Sequence, residues 1–199
     1  MSDRTDILNR VRAARPEAVE CPDPTAEFGS DSEIDRSRLI TAWSEHVRSA
    51  GGVVHAVPDA GHVKEWVRAR TWSGPLVSTV QGLNDDPFLP DIPTTTDAMD
   101  KTDLLLVEST LAVAENGAVW MSDETGVPRA LPFLCREMAV ILPASRIVST
   151  MHEAYRKIGS KPVGWGLFIG APSKTADIEQ SLVVGAHGPE ALTLFLLDK

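Results

Sequence analysis

The segment LLLVES, residues 104–109, is apolar at four consecutive positions. A strand with one wet face would alternate apolar and polar residues, so an unbroken run asks for burial on both faces. That demand constrains the chain more than any other feature, because a strand covered on both sides needs a sheet between layers. Further strands are read at VVHAV (53–57), PLVSTV (75–80), MAVILP (138–143), GLFIG (166–170) and ALTLFLL (191–197). Helices fall among them. DRSRLITAWSEHVRSAGG starts at Asp35, spaces Leu39, Trp43 and Val47 along one face and stops at glycine. GHVKEWVRAR is a second helix, and ASRIVSTMHEAYRKIG reads as a third with Ile147, Met151 and Tyr155 aligned. Strands alternating with helices predict an α/β domain, a mostly parallel sheet covered by helices.

Two segments interrupt the alternation. TLAVAENGAVWMSD (110–123) reads as two strands around Glu115-Asn116-Gly117, because Asn-Gly favours the tight turns of hairpins. NDDPFLPDIPTTTDAMDKTD (84–103) reads as a loop long enough to be functional or mobile. At the start, residues 2–15 read as an amphipathic helix, capped by Ser2 or Thr5, with Ile7, Leu8, Val11 and Ala14 near one face. Pro16 stops it, and residues 16–33 are rich in proline and acid. The expected organisation is an N-terminal helical arm with an acidic linker over 1–33 and an α/β domain over 34–199.

Composition limits the function classes. The formal charge of -9 argues against a binder of nucleic-acid phosphates, and the 43% apolar content suffices for a core. Cys21 and Cys135 stand in unrelated contexts without a CxxC, and two thiols cannot hold a four-thiolate iron–sulfur cluster. The opening MSDRTDILNRVRAAR has no apolar run of signal-peptide length, and no segment has the length and apolarity of a bilayer span. The expectation is a cytoplasmic protein without membrane insertion. His46, His55, His62 and His152 lack metal-site spacing, so no metal is expected. Trp43, Trp66, Trp72 and Trp120 read as packing residues, and Trp165, between two glycines, as either a packing residue or a pocket wall.

The densest chemistry lies in GAPSKTADIEQSLVVGAHGP, residues 170–189. Ile178 and Leu182 are four apart, which predicts a short helix ended by Gly185. The preceding loop would then sit where a strand turns into a helix, a place that favours anions. Lys174 would add positive charge, and Ser173 and Thr175 hydroxyl donors. Asp177 and Glu179 equally suit a plain capped first turn, so capping and ligand binding both stand. His187 reads either as a turn residue or as a side chain whose flanking glycines let it approach a ligand. The Gly-x-x-x-x-Gly-Lys spacing of a nucleotide loop is absent.

Pro172 to Pro189 resembles the C-terminal motif of the lactate-utilisation (LUD) domain family, in particular its LutC/YkgG-type members. That motif runs Gly-Pro-Ser-Arg/Lys-Thr-Ala-Asp-Ile-Glu, an apolar run, then Gly-x-His-Gly-Pro. A second family motif, Ala-Glu-Thr-Gly-Thr, stands here as Ala114-Glu115-Asn116-Gly117-Ala118, with both threonines replaced. The resemblance extends over about Leu104 to Lys199. It implies a NagB/RpiA/CoA-transferase-like fold and a LutC-like subunit supporting oxidation of lactate to pyruvate. It implies no cofactor in this chain, with iron–sulfur clusters in partner proteins. The implied site joins Glu115, Asp177 and His187 as catalytic residues to Ser173, Lys174, Thr175, Glu179 and Gly188 as contacts for a small anionic metabolite. Two other readings stand beside it. Ala-Glu-Asn-Gly resembles the Ser-Glu-Asn-Gly segment of family I CoA-transferases, which would make Glu115 a nucleophile. Alternatively the chain is a non-catalytic assembly subunit that docks a partner through its N-terminal helix. A homo-oligomer is open to all three.

Overall fold

A computed structural model of the chain describes residues 3–17, 35–83, 87–89, 91–159, 164–175, 183–184 and 188–198, with the backbone alone for 3, 174, 175, 183 and 184. The chain divides into two compact units, Met1–Ser30 and Asp31–Lys199. In the first, α1 (Asp3–Ala13) forms as its spacing predicts, with Thr5 inside the helix and Ile7, Leu8 and Val11 exposed.

The second unit is built on a five-stranded sheet in the order β1-β11-β6-β3-β2, every neighbouring pair parallel. Its strands are β1 (Val53–Val57), β2 (Leu76–Ser78), β3 (Leu104–Glu108), β6 (Glu137–Pro143) and β11 (Ala191–Leu197). The apolar run that suggested two-sided burial divides by parity. Leu105 and Val107 join one core with Met138, Val140 and Leu194, while Leu104 and Leu106 join another with Ala139, Ile141 and Phe195. Each side has its own cover. α2 (Arg36–Ser49) sends Trp43 and Val47 into the first core, and α3 (Ala60–Arg68) sends Val63 and Val67 into the second. Both helices start on an aspartate whose carboxylate accepts N–H groups of the first turn, Asp35 from Ser37 and Asp59 from Gly61 and His62.

The first core is also closed by a second, four-stranded sheet in the order β7-β4-β5-β8. It contains the expected hairpin, β4 (Ala112–Val113) against β5 (Val119–Ser122), with β7 (Ile147–Val148) and β8 (Gly166–Ile169) outside. GLFIG therefore pairs antiparallel with the hairpin instead of extending the parallel sheet.

Three local readings are corrected. Of the helix expected over 144–159, only α6 (Met151–Ile158) is helical; residues 144–146 are a 3-10 turn and Ile147–Val148 is β7. The strand wins because Ile147 and Val148 pair with Ala112 and Val113 and bury their β-branched side chains. Thr150 is the true N-cap, accepting the Glu153 N–H at 3.2 Å, while the Glu153 carboxylate accepts the Ser149 N–H at 3.0 Å. The long loop encloses a short helix, α4 (Thr96–Asp100), which sinks Met99 into the first core, as the one-turn α5 (Leu131–Leu134) does Leu131. The helix expected over 175–184 is replaced at both ends by extended chain, since β9 (Lys174–Thr175) pairs antiparallel with β10 (Val183–Val184).

One ion pair ties the start of the parallel sheet together. Asp103, almost wholly buried, accepts from Arg136 Nε and from the backbone N–H groups of Ser73 and Gly74. Burial alone would raise its carboxyl pKa; the Arg136 bond and the two N–H bonds together outweigh that and hold it below the ordinary carboxylate value. A lowered folded pKa means that the unfolded chain binds the proton first, so this stabilisation is present above the unfolded value and is lost as pH falls through the folded one. Asp103→Asn is expected to cost about 2 kcal/mol at neutral pH. It should also flatten the acid limb of stability below pH ~4. Urea denaturation of both proteins across that range checks the two effects together.

Candidate functional site

The hairpin that carries Glu115 is pinned by three hydrogen bonds from two segments. His46 Nδ1 donates to Ala114 O at 2.8 Å, Ala114 N–H to Val148 O and Glu115 N–H to Ser149 O. The Asn116 side-chain oxygen accepts the Ala118 N–H at 3.0 Å, the local bond that makes asparagine a turn residue. Gly117 has φ 74°, and a Cβ there would lie 2.9 Å from Val47 N and 3.1 Å from His46 Cβ. The hairpin tip thus rests directly on the α2 backbone. The Glu115 side chain is exposed and one oxygen, Oε2, accepts the Met151 N–H at 2.8 Å. It satisfies one of the free donors at the start of α6, beside the cap that Thr150 supplies. Ala118, where the family motif has threonine, is buried and brings no hydroxyl.

The C-terminal motif closes on itself. Ser173 N–H donates to Pro189 O at 2.8 Å, and a Cβ on Gly188 would lie 3.3 Å from Ser173 Cβ. Between these two residues, Lys174–Thr175 and Val183–Val184 form the antiparallel ribbon already described. Gly170, just upstream, passes the hairpin, where its Cβ would lie 3.7 Å from Asn116 O. The structure thus brings Ser173 and Gly188 together and leads their strand past the Glu115 turn. Asp177, Glu179 and His187 lie outside the described residues, as do the side chains of Lys174 and Thr175. With strand at 174–175, a helix N-terminus no longer accounts for anion affinity there.

Gly188 also lines a hollow of about 300 Å³ at the amino-terminal end of the parallel sheet, with Asp100, Phe133, Cys135, Arg136 and Glu190. Arg136 is occupied there by Asp103. Cys135 is buried, and burial pushes its thiol up to about 12, so it stays protonated and unreactive at neutral pH. No group of three or more His, Cys, Asp or Glu placed to hold a metal ion is found among the described residues. No helix among them is long and apolar enough to cross a membrane.

Two adjoining cavities of about 250 and 270 Å³ open at the opposite, carboxyl-terminal end and share Thr110, Trp120, Ser122 and Glu124. No motif in the sequence pointed to them. The available signal was positional: Glu108 and Thr110 follow LLLV, and Ser145 and Arg146 follow MAVILP, where ligands of parallel sheets collect. Trp120 lines this cleft as well as packing on Phe168, while Trp165 packs against the first core.

Residues 90–197, more than half of the chain, match the family described as LUD domain. The chain is 36% identical over 102 residues to "Lactate utilization protein C" of Shouchella clausii, a match covering 48% of this chain and 44% of that protein. It is 37% identical over 100 residues to the protein of the same name from Bacillus pumilus, covering 47% and 41%. The matches thus span less than half the length of these relatives. A crystal structure of a DUF162 family protein from Deinococcus radiodurans superposes with a TM-score of 0.59 at 16% identity, over 82% of this chain and 99% of that one. That likeness concerns the fold.

Two outcomes follow from these contacts. Gly117→Ala is expected to lower stability by about 2–3 kcal/mol, from a left-handed residue gaining a Cβ against backbone, with a matching drop in the denaturation midpoint. In a Cys21→Ser variant, Cys135 should resist Ellman's reagent in the folded protein and react fully once denaturant is added.

Proposed function

The chain belongs to the LUD domain family, and from that premise we propose that it acts in lactate utilisation by binding a small carboxylate at the Ser173–Gly188 motif. The observation that carries the reading is the closure of that motif. The Ser173 N–H bond to Pro189 O and the contact with Gly188 bring its two ends face to face within the family match. Lys174 attracts the carboxylate, and Ser173 and Thr175 orient it through their hydroxyls. Asp177 and Glu179 accept from a substrate hydroxyl, while His187 and Glu115 serve proton transfer.

Oxidising lactate to pyruvate releases two electrons and two protons. Within these 199 residues the two cysteines are too few for a four-thiolate cluster, and the Cys135 thiol stays protonated. In this reading the electrons pass to iron–sulfur partner proteins, and this chain contributes substrate binding and proton handling.

Calorimetric titration with lactate and pyruvate tests the reading. The unaltered protein is expected to bind one of them, and Lys174→Ala to weaken that binding by about tenfold, the worth of one charge-assisted hydrogen bond. Identical isotherms for the two proteins remove Lys174 from the site, and no heat with either acid overturns the assignment.

A further inference from the structure

We infer that the cleft at the carboxyl-terminal end of the parallel sheet is a second ligand site, built for a small hydroxylated anion. It is independent of the motif at Ser173–Gly188. That motif joins the amino-terminal ends of the strands, as Gly188 shares a hollow with Arg136 and Glu190, which immediately precede β6 and β11.

The cleft is assembled by the ends of several elements. β2 and β3 deliver Thr79 and Glu108 at their carboxyl ends, and the turn after β3 delivers Thr110. That turn is rigid. The Ser109 hydroxyl, buried, lies 2.8 Å from both Leu111 O and Trp120 O, and Ser109 N–H donates to Ile141 O. The 3-10 turn after β6 delivers Ser145 and Arg146, braced by Arg36 Nη1 bonding to Ala144 O and Ile147 O. Lys157 enters from the last turn of α6.

The charges are sorted along the cleft. One lobe holds Arg146 and Lys157, and the other holds Glu108, with Glu124 on the shared wall. Lys157 has a carboxylate neighbour, Glu153, at 3.3 Å. Arg146 has no carboxylate partner among the described residues, although the chain as a whole carries a formal charge of -9. An unpaired guanidinium in a concave polar site matches the planar oxygens of a carboxylate or the oxygens of a phosphate. The Glu108 and Glu124 carboxylates, when ionised, can only accept hydrogen bonds, so they favour hydroxyl or other donor groups on the same molecule. Trp120, on the wall common to both lobes, adds apolar surface for the carbon skeleton.

The experiment uses four probes: glycerate and glycerol 3-phosphate, which carry alcohol hydroxyls on a carbon skeleton, and propionate and inorganic phosphate, which carry none. Binding is read calorimetrically, and Arg146 is followed separately by phenylglyoxal modification of the unaltered protein with peptide mapping. A hydroxylated probe should bind and protect Arg146, and Arg146→Ala should weaken it by about tenfold or more, while Arg48→Ala, at the end of α2, leaves binding unchanged. Glu124→Gln should lower the preference for hydroxylated probes over bare anions. The two members of each pair decide between a carboxylate and a phosphate head. Unprotected Arg146 at saturating probe, equal binding to Arg146→Ala, or no probe binding below about 10 mM overturns the site. The protection readout is local to Arg146, so its failure is separate from any failure at Lys174.

Discussion

Two-sided burial of β3, β6 and β11 is the constraint on which the rest of this structure depends. A strand apolar on both faces gains about 2 kcal/mol from each large side chain it buries, but only if both faces are covered. α3 supplies the cover on one side. On the other side α2 and the second sheet share it, so the hairpin is part of the core and its tip is set against the α2 backbone. The Asp103–Arg136 pair and its backbone donors hold the strand starts in register at the rim where hydrocarbon gives way to polar groups.

Parallel strands put all their amino ends on one rim and all their carboxyl ends on the other, and the two rims here have different chemistry. The amino rim carries the family motif, folded onto itself through Ser173, Gly188 and Pro189. The carboxyl rim carries no contiguous motif; it gathers single residues from five or more segments into one cleft. Glu115 belongs to neither set by contact, because its described bond is to Met151 at the start of α6.

Much of this was legible in the chain. An unbroken apolar run at 104–107 implied a strand covered on both sides, and Asp35 stood where a helix start needs an acceptor. Where reading failed, the reason was that a local pattern fitted two structures. Ile147 and Met151 have helical spacing, yet Ile147 pairs as a strand because Ala112 offers an edge that the local sequence does not reveal. Lys174 and Thr175 fit the start of a helix, but Val183 and Val184 provide an extended partner. The motif at 170–189 was visible because its chemistry is contiguous. The cleft was invisible because Thr79, Glu108, Ser122, Arg146 and Lys157 are scattered along the sequence.

The sequence by itself determined the class of fold, the strands that must be buried on both sides, the family and the residues of its motif. Periodicity, caps and contiguous motifs are properties of neighbouring residues, and they survive without knowledge of what lies across from them. The tertiary structure alone decided which strands formed the second sheet, that the ends of the motif meet, and that Arg146 and two glutamates face one cleft. Those outcomes depend on strand pairing and packing between distant segments, where the energy belongs to the pair and neither partner carries it alone.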